Sequence, residues 1–384
     1  MNASPDPSRY FDHNGSTPIA PAVRELCLEL AREEFGNGAA PHPMGRRAAS
    51  RVEEARERLA ALLGAGSPEE VVFTSGGTES DNWALFGVAA RNPGAHLITS
   101  AIEHKAVLEP ALELERRGHP VTVLAPDASG RIAPEAVAEA LRPDTALVSL
   151  MWANNETGVV QPVREVGELC RERGVLFHTD AVCAFGKVPV RVDEVPCDLL
   201  SLSAHKFHAP KGVGLQFVRR GTDLAPLHFG CGHQGGLRSG TQPTVLVAAM
   251  ALAAELSVAG ELAPSSELPA LRDQLLAGLR ALLPTVEANG EGELLPNTLN
   301  AWFPGVPATA LQAALADEGF SVAAGASAAS GAPSPVLCAM GLGAERASSS
   351  LRFSLGVETT REAVDGLLAA LPAALERAGA AVPS

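Results

Sequence analysis

Apolar and polar positions along the chain fall into two rhythms. From Pro21 to Phe35, Val23, Leu26, Leu30 and Ala31 recur at helical spacing, and the run from beyond Gly45 to Leu63 has the same period, laced with Arg/Glu pairs and stopped by Gly64. Gly36 to Pro43 reads as the loop between them. After Gly64, short apolar runs alternate with helical stretches. The pattern predicts strands at Val71 to Thr74, His96 to Thr99, Val121 to Leu124, Ala146 to Leu150, Val175 to His178 and Cys197 to Leu202. Helices are predicted from Thr78, from about His104, from Pro134 and over Val163 to Arg173. Such alternation implies a mainly parallel sheet with helices on both faces, in which ligands bind beyond the carboxyl ends of the strands. From Val258 to Ser266 the composition shifts to Gly, Pro and Ser, and the rhythm changes. A long helix at Leu268 to Leu283, strands at Asn297 to Phe303 and Ser350 to Ser354, and a helix at Arg361 to Ala378 describe a smaller α+β unit. The expected division is 15–258 for a large α/β domain, and 259–384 with 1–14 for a small one.

Composition narrows the function classes. The 384 residues are 46% hydrophobic and carry a formal charge of -14, with no Lys/Arg cluster of the kind that nucleic-acid phosphates require. The first ten residues lack the basic and apolar regions of a secretory signal, and the longest apolar run, Val245 to Leu256, is too short to span a bilayer. A cytoplasmic enzyme that engages neither nucleic acid nor membrane is expected. The six cysteines (27, 170, 183, 197, 231 and 338) show no metal spacing, so no metal site is predicted, and most are expected to be reduced core residues; Cys338, after Val336 and Leu337, reads as core.

Only four lysines occur, at 105, 187, 206 and 211, and two of them sit in Ser203-Ala204-His205-Lys206-Phe207-His208-Ala209-Pro210-Lys211. An amine can lose its proton and attack a carbonyl, which a guanidinium cannot. With an apolar strand before it and Ser203 and His205 beside it, Lys206 reads as a Schiff-base lysine for pyridoxal 5'-phosphate; a surface loop with two solvated lysines is the plain alternative. Thr74-Ser75-Gly76-Gly77-Thr78 follows a strand and opens a helix, an arrangement that suits a phosphate or an ordinary helix cap. Asp180, at a strand end, is placed either to bond a protonated pyridine nitrogen or to cap a helix. Its 26-residue separation from Lys206 fits two consecutive strand ends of one sheet.

Nearly the full length resembles the cysteine desulfurases of the class V aminotransferase group, enzymes of fold type I that depend on pyridoxal phosphate. The resemblance rests on Tyr10-Phe11-Asp12 with Ser16-Thr17-Pro18, Gly36-Asn37, Thr74 to Asn82, Glu103-His104-Lys105, Asn154 to Gly158, His178 to Ala181, Ser203 to Lys206, Leu237 to Thr241 and Ser349 to Ser354. It implies that Lys206 carries the cofactor, His104 stacks on its ring, Asp180 meets the pyridine nitrogen, and Gly77, Thr78, Ser203 and His205 hold the phosphate. Thr241 would complete that phosphate site from the second subunit of a homodimer. Arg352, with Asn155, would hold the substrate carboxylate, as a planar guanidinium suits. The implied reaction converts L-cysteine to alanine and persulfide sulfur, for delivery to a sulfur-acceptor protein.

Two positions depart from the family pattern. Its nucleophile is a cysteine on a late small-residue loop, and in Val322 to Gly331 that position is Ala328, either as a natural departure or as an introduced Cys-to-Ala change. A methyl group attacks nothing. Cys183 stands where the family has a glutamine beside the cofactor, which makes it a weaker hydrogen-bond donor and a candidate replacement thiol. Cys231, close to His233 in a loop expected near the dimer contact, is a further thiol of interest. Three readings follow: a desulfurase with its thiol lost or supplied elsewhere, a thiol-independent C–S or C–Se lyase, and a non-enzymatic relative. The retained Lys206, Asp180, His104 and Arg352 argue against the last.

Overall fold

The predicted strand–helix alternation closes into one sheet in the computed structural model, which describes residues 6–262, 267–325 and 332–379. Strands β1 (Val71–Thr74), β2 (His96–Ser100), β3 (Val121–Leu124), β4 (Thr145–Ser149), β5 (Leu176–Asp180), β6 (Leu199–Ser203) and β7 (Gly214–Val218) lie in the order β1-β7-β6-β5-β4-β2-β3. Strands β6, β5, β4, β2 and β3 pair in parallel; β7 runs antiparallel between β1 and β6. Pattern reading missed β7, because the Gly/Pro-rich residues before it read as one continuous loop. Helix Thr244–Val258 was likewise read only as an apolar run; it is helical and packs into the core on most of its surface.

Alternate residues of each strand enter opposite cores, as the two-residue strand period requires. Val71, Phe73, Ile98, Val148 and Phe177 face one side with helices Pro21–Glu33, Pro43–Leu63, Val163–Arg173 and Thr244–Val258. Val72, Leu97, Leu147 and Leu199 face the other, against Trp83 and Leu85 of helix Gly77–Arg91 and Val107 and Leu114 of helix Lys105–Arg116. The outer edge of β1 is covered locally: the Gln234 amide accepts from the Phe73 N–H at 2.6 Å and donates to its carbonyl at 2.8 Å.

A second sheet, β10-β9-β8, is antiparallel and small: β8 (Glu287–Ala288), β9 (Thr298–Trp302) and β10 (Ser350–Ser354). Its core combines Phe303, Phe353, Leu311 and Leu367 with Phe11 from the start of the chain. The segment around Phe11 pairs like a further strand, with bridges Tyr10 to Ser321 and Asp12 to Ser354. It then crosses to the large sheet, where Thr17 N–H donates to the His205 carbonyl at 3.0 Å and the Thr17 hydroxyl accepts from His208 N–H at 2.7 Å.

All six cysteines are free, and only Cys170, Cys183 and Cys197 are buried. The core assignment of Cys338 is therefore wrong. In the short helix Pro335–Ala339, Val336 and Leu337 face inward and the next position turns out to solvent. Among the described residues no helix is long and apolar enough to cross a membrane. Phe353 is fully buried, with its ring 6.4 Å from that of Phe303. Phe353→Ala is expected to remove about 3–5 kcal/mol, read as a lowered urea midpoint.

Candidate active site

Since β1 is parallel to β6 through two antiparallel steps, the carboxyl ends of β1, β2, β4, β5 and β6 share one edge. The loops leaving that edge deliver Thr78, His104, Asn155, Asp180, Ser203, His205 and Lys206 to one cavity of about 380 Å³, which Arg352 of β10 also lines. Gly77 and Cys183 belong to the same lining. Of the site residues read from the sequence, Thr241 is exposed and does not line the cavity of its own protomer, and Ala328 lies outside the described residues. Two larger clefts, of about 760 and 600 Å³, carry none of this set.

One end of the cavity suits an anion. Helix Gly77–Arg91 starts there with no side-chain cap, so its first N–H groups are free to receive a phosphate. Backbone packs against backbone at this point: a Cβ on Gly214 would lie 2.6 Å from Gly76 Cα, so β7 must begin with glycine. Ser203 closes the far side, and His205 shares a hydrogen bond with Ser16 Oγ at 3.2 Å. Burial, aided by Lys206, pushes His205 down to about 4, which leaves its imidazole neutral here.

The other groups form a buried acid cluster facing cations. Asp180 Oδ1 accepts from Val182 N–H at 2.8 Å, and burial pushes its carboxyl up, opposed by His104 and Lys206. Asp81, 1% exposed, is also pushed up by burial and by Asp180, and its Oδ1 has no hydrogen-bond partner. A protonated pyridine nitrogen set against Asp180 supplies the positive charge this cluster lacks, so the residues fit pyridoxal 5'-phosphate. His104 caps helix Lys105–Arg116, its Nδ1 accepting from Ala106 N–H at 3.1 Å, with its ring exposed to the cavity. Lys206 Nζ donates to the carbonyls of Asn14 at 2.5 Å and Gly15 at 2.9 Å.

Arg352, 6% exposed, does have the partner that its burial demands: Nη2 meets Asp12 Oδ1 at 2.6 Å, and Nη1 donates to the Asn155 carbonyl at 2.9 Å. Asn155 thus engages Arg352 through its backbone. Sequence reasoning assigned no role to Asp12, Asn14 or Gly15, although the Tyr10 to Pro18 motif contains them. It also overlooked Glu103, fully buried behind His104, where Oε1 accepts from Ser100 Oγ at 2.6 Å and Met151 N–H at 3.0 Å. Lys187 is a second buried amine near Lys206; its Nζ donates to the Cys183 carbonyl at 2.9 Å, and burial lowers it to about 8.

Comparison with known proteins agrees with this geometry. The family model described as Aminotransferase class-V matches residues 9–367. A cysteine desulfurase IscS of Anaeromyxobacter dehalogenans (strain 2CP-C) is 45% identical over 93% of this chain and 89% of its own length. That of Dictyoglomus turgidum (strain DSM 6724 / Z-1310) is 40% identical over 96% and 94%. Among solved structures, a NifS-like protein superposes with a TM-score of 0.89 at 37% identity, covering 96% of this chain and 99% of that one. The structure titled SspA in complex with cysteine gives 0.80 at 36%, covering 90% and 98%.

Burial raises Glu103 from 4.5 to about 8. The folded protein keeps a proton there that the unfolded chain releases, so this group's contribution to stability is full below 4.5 and is lost as pH rises through 8. Glu103→Gln preserves both bonds to Oε1 without the titration. Its apo-protein is expected to exceed the wild type in urea midpoint at about pH 9, by a margin that grows between pH 4.5 and 8. A margin constant with pH would contradict the assignment.

Proposed function

This chain belongs to the cysteine desulfurase family of class-V aminotransferases, enzymes dependent on pyridoxal phosphate, and from that premise we propose how its own residues divide the work. The reaction is cleavage of the C–S bond of L-cysteine, giving alanine and sulfane sulfur. The observation that carries the reading is the convergence of Lys206, Asp180, His104 and Arg352 on a single cavity. When bound, pyridoxal 5'-phosphate supplies an electron sink for the substrate's Cα.

Lys206 would hold the cofactor and, as a free amine, takes the proton from Cα; the Asn14 and Gly15 carbonyls hold its amine in place. Asp180 fixes the charge at the pyridine nitrogen. The first turn of helix Gly77–Arg91, with Thr78, Ser203 and His205, holds the phosphate. Arg352, oriented by Asp12 and the Asn155 carbonyl, receives the substrate carboxylate. His104, which lines the same cavity, would cover the ring.

The same proposal includes a homodimer in which Thr241 reaches the phosphate end of the second copy's site. Phe229, 84% exposed in the loop leading to Thr241, supports it. The absence of any disulfide among the six cysteines supports a cytoplasmic setting, and a sulfur-acceptor protein takes the product.

Alanine at 328 bears on the last step. A desulfurase transfers sulfur to a thiol, and with this residue the thiol is Cys183 or an external one. The same alanine favours a second reading, elimination without an enzyme thiol, which releases hydrogen sulfide and yields pyruvate and ammonia. The amino-acid product decides between them. Alanine is expected from the wild type, and Ala328→Cys is expected to raise its rate together with protein persulfide. Pyruvate as the product, with no gain in Ala328→Cys, would overturn desulfuration. Lys206→Ala is expected to abolish the borohydride-trapped cofactor peptide and to lower turnover by about 100-fold or more.

A further inference from the structure

Lys206 also borders a second cavity of about 20 Å³, lined in addition by His13, Lys187 and His208. That volume exceeds the roughly 10–15 Å³ that one water needs, and although Phe185, Phe207 and three leucines make most of the lining apolar, His13, Lys187, Lys206 and His208 bring polar atoms to it. His13 is 1% exposed, and neither ring nitrogen has a hydrogen-bond partner of normal geometry, although the Tyr10 carbonyl faces the ring. A buried imidazole with two unsatisfied nitrogens is costly unless something outside the protein meets it. The ring cannot turn away. Tyr10 packs edge-on at 5.0 Å, and Gly356 lies so close that a Cβ there would sit 2.0 Å from His13 Cε1.

On its other side, His13 Nε2 is 3.9 Å from Glu358 Oε2, an oxygen that also lacks a partner, on a side chain 30% exposed. The titratable groups around the ring are therefore Lys187, Lys206, His208, Tyr10 and Glu358. Burial holds His13 at about 3 and His208 at about 4, with neighbouring Lys187 reinforcing both, so each stays neutral. A neutral imidazole accepts a proton at one nitrogen and gives one up at the other.

We propose that His13 and one water in this cavity form a proton path between the Lys206 amine and Glu358, through which Lys206 exchanges its proton with solvent. The path moves one proton and no electrons: from the Lys206 ammonium to water, from water to one His13 nitrogen, and from the other nitrogen to the Glu358 carboxylate, whose part-exposed side chain closes the 3.9 Å gap to hydrogen-bond distance for the transfer. The reverse transfer restores the original tautomer. His13 and Glu358 are positioning residues in this scheme, since neither touches substrate. The inference rests on the reading of Lys206 as the base at Cα.

The test uses the holoenzyme with L-alanine, which has no leaving group, in deuterated water; proton NMR follows loss of the Cα signal. His13→Phe and Glu358→Gln are each expected to slow exchange by about 10-fold or more, with L-alanine affinity from cofactor absorbance unchanged within about twofold. Glu358→Gln keeps the test decisive if His13→Phe fails to fold, because a mere packing role for His13 would not respond to it. Gly356→Ala, which displaces the ring, is expected to act like His13→Phe. A crystal structure of the holoenzyme should also place one water within hydrogen-bond distance of His13. Exchange at the wild-type rate in a folded His13→Phe or in Glu358→Gln, or no water at His13, overturns the path. Exchange persisting in Lys206→Ala would instead overturn the base assignment.

Discussion

The ion pair of Asp12 with Arg352 is the contact on which the site's assembly depends. A guanidinium 6% exposed beside apolar strands is costly to bury without a carboxylate, and the one it has arrives on the N-terminal segment. That segment, bridged to β10 at Ser354 and anchored by Phe11 in the small core, goes on to present the Asn14 and Gly15 carbonyls to Lys206. Residues 10–17 therefore link the strand bearing the carboxylate-binding arginine to the loop bearing the reactive amine. The spacing between these two groups is a property of one short stretch of backbone.

Charge explains the rest of the cavity. Asp81, Asp180 and Glu103 are buried together, and burial pushes each carboxyl up. Asp81 and Asp180 line the cavity, where under the proposed reading a cationic group would meet them, while Glu103 is held by Ser100 and Met151 behind His104. Histidines close by remain neutral: His178, with both ring nitrogens bonded to Ser149 and Ser201, is held at about 3 by burial alone. The site thus separates groups that carry charge to the ligand from groups that only carry hydrogen bonds.

Much of this was legible in the sequence. Strand periodicity located the large sheet's parallel strands to within a residue or two, because a strand buried on both faces has to be a short apolar run. Lys206 stood out by the scarcity of lysine, and Asp180 by its place at a strand end. What escaped were properties of pairs. Nothing in Tyr10-Phe11-Asp12 reveals that Asp12 will meet an arginine 340 positions later, and Glu103 gives no sign that its carboxyl turns inward while His104 faces the cavity. β7 hid behind a glycine–proline loop, since its first residue is glycine for close packing and not for a turn. Cys338 was misjudged because apolar neighbours in a helix of five residues say little about which side each faces.

The linking segment has a consequence for how the protein is made. Phe11 and Asp12 leave the ribosome early, whereas Phe353 and Arg352 emerge some 340 residues later. At roughly 5–20 residues per second, that interval is on the order of 20 to 70 seconds, and in its later part, after β7 has emerged, the large sheet has all its strands while residues 10–17 still have no partner strand. The nascent chain must therefore carry an unpaired apolar segment until β10 has emerged, and the substrate pocket cannot be complete before then.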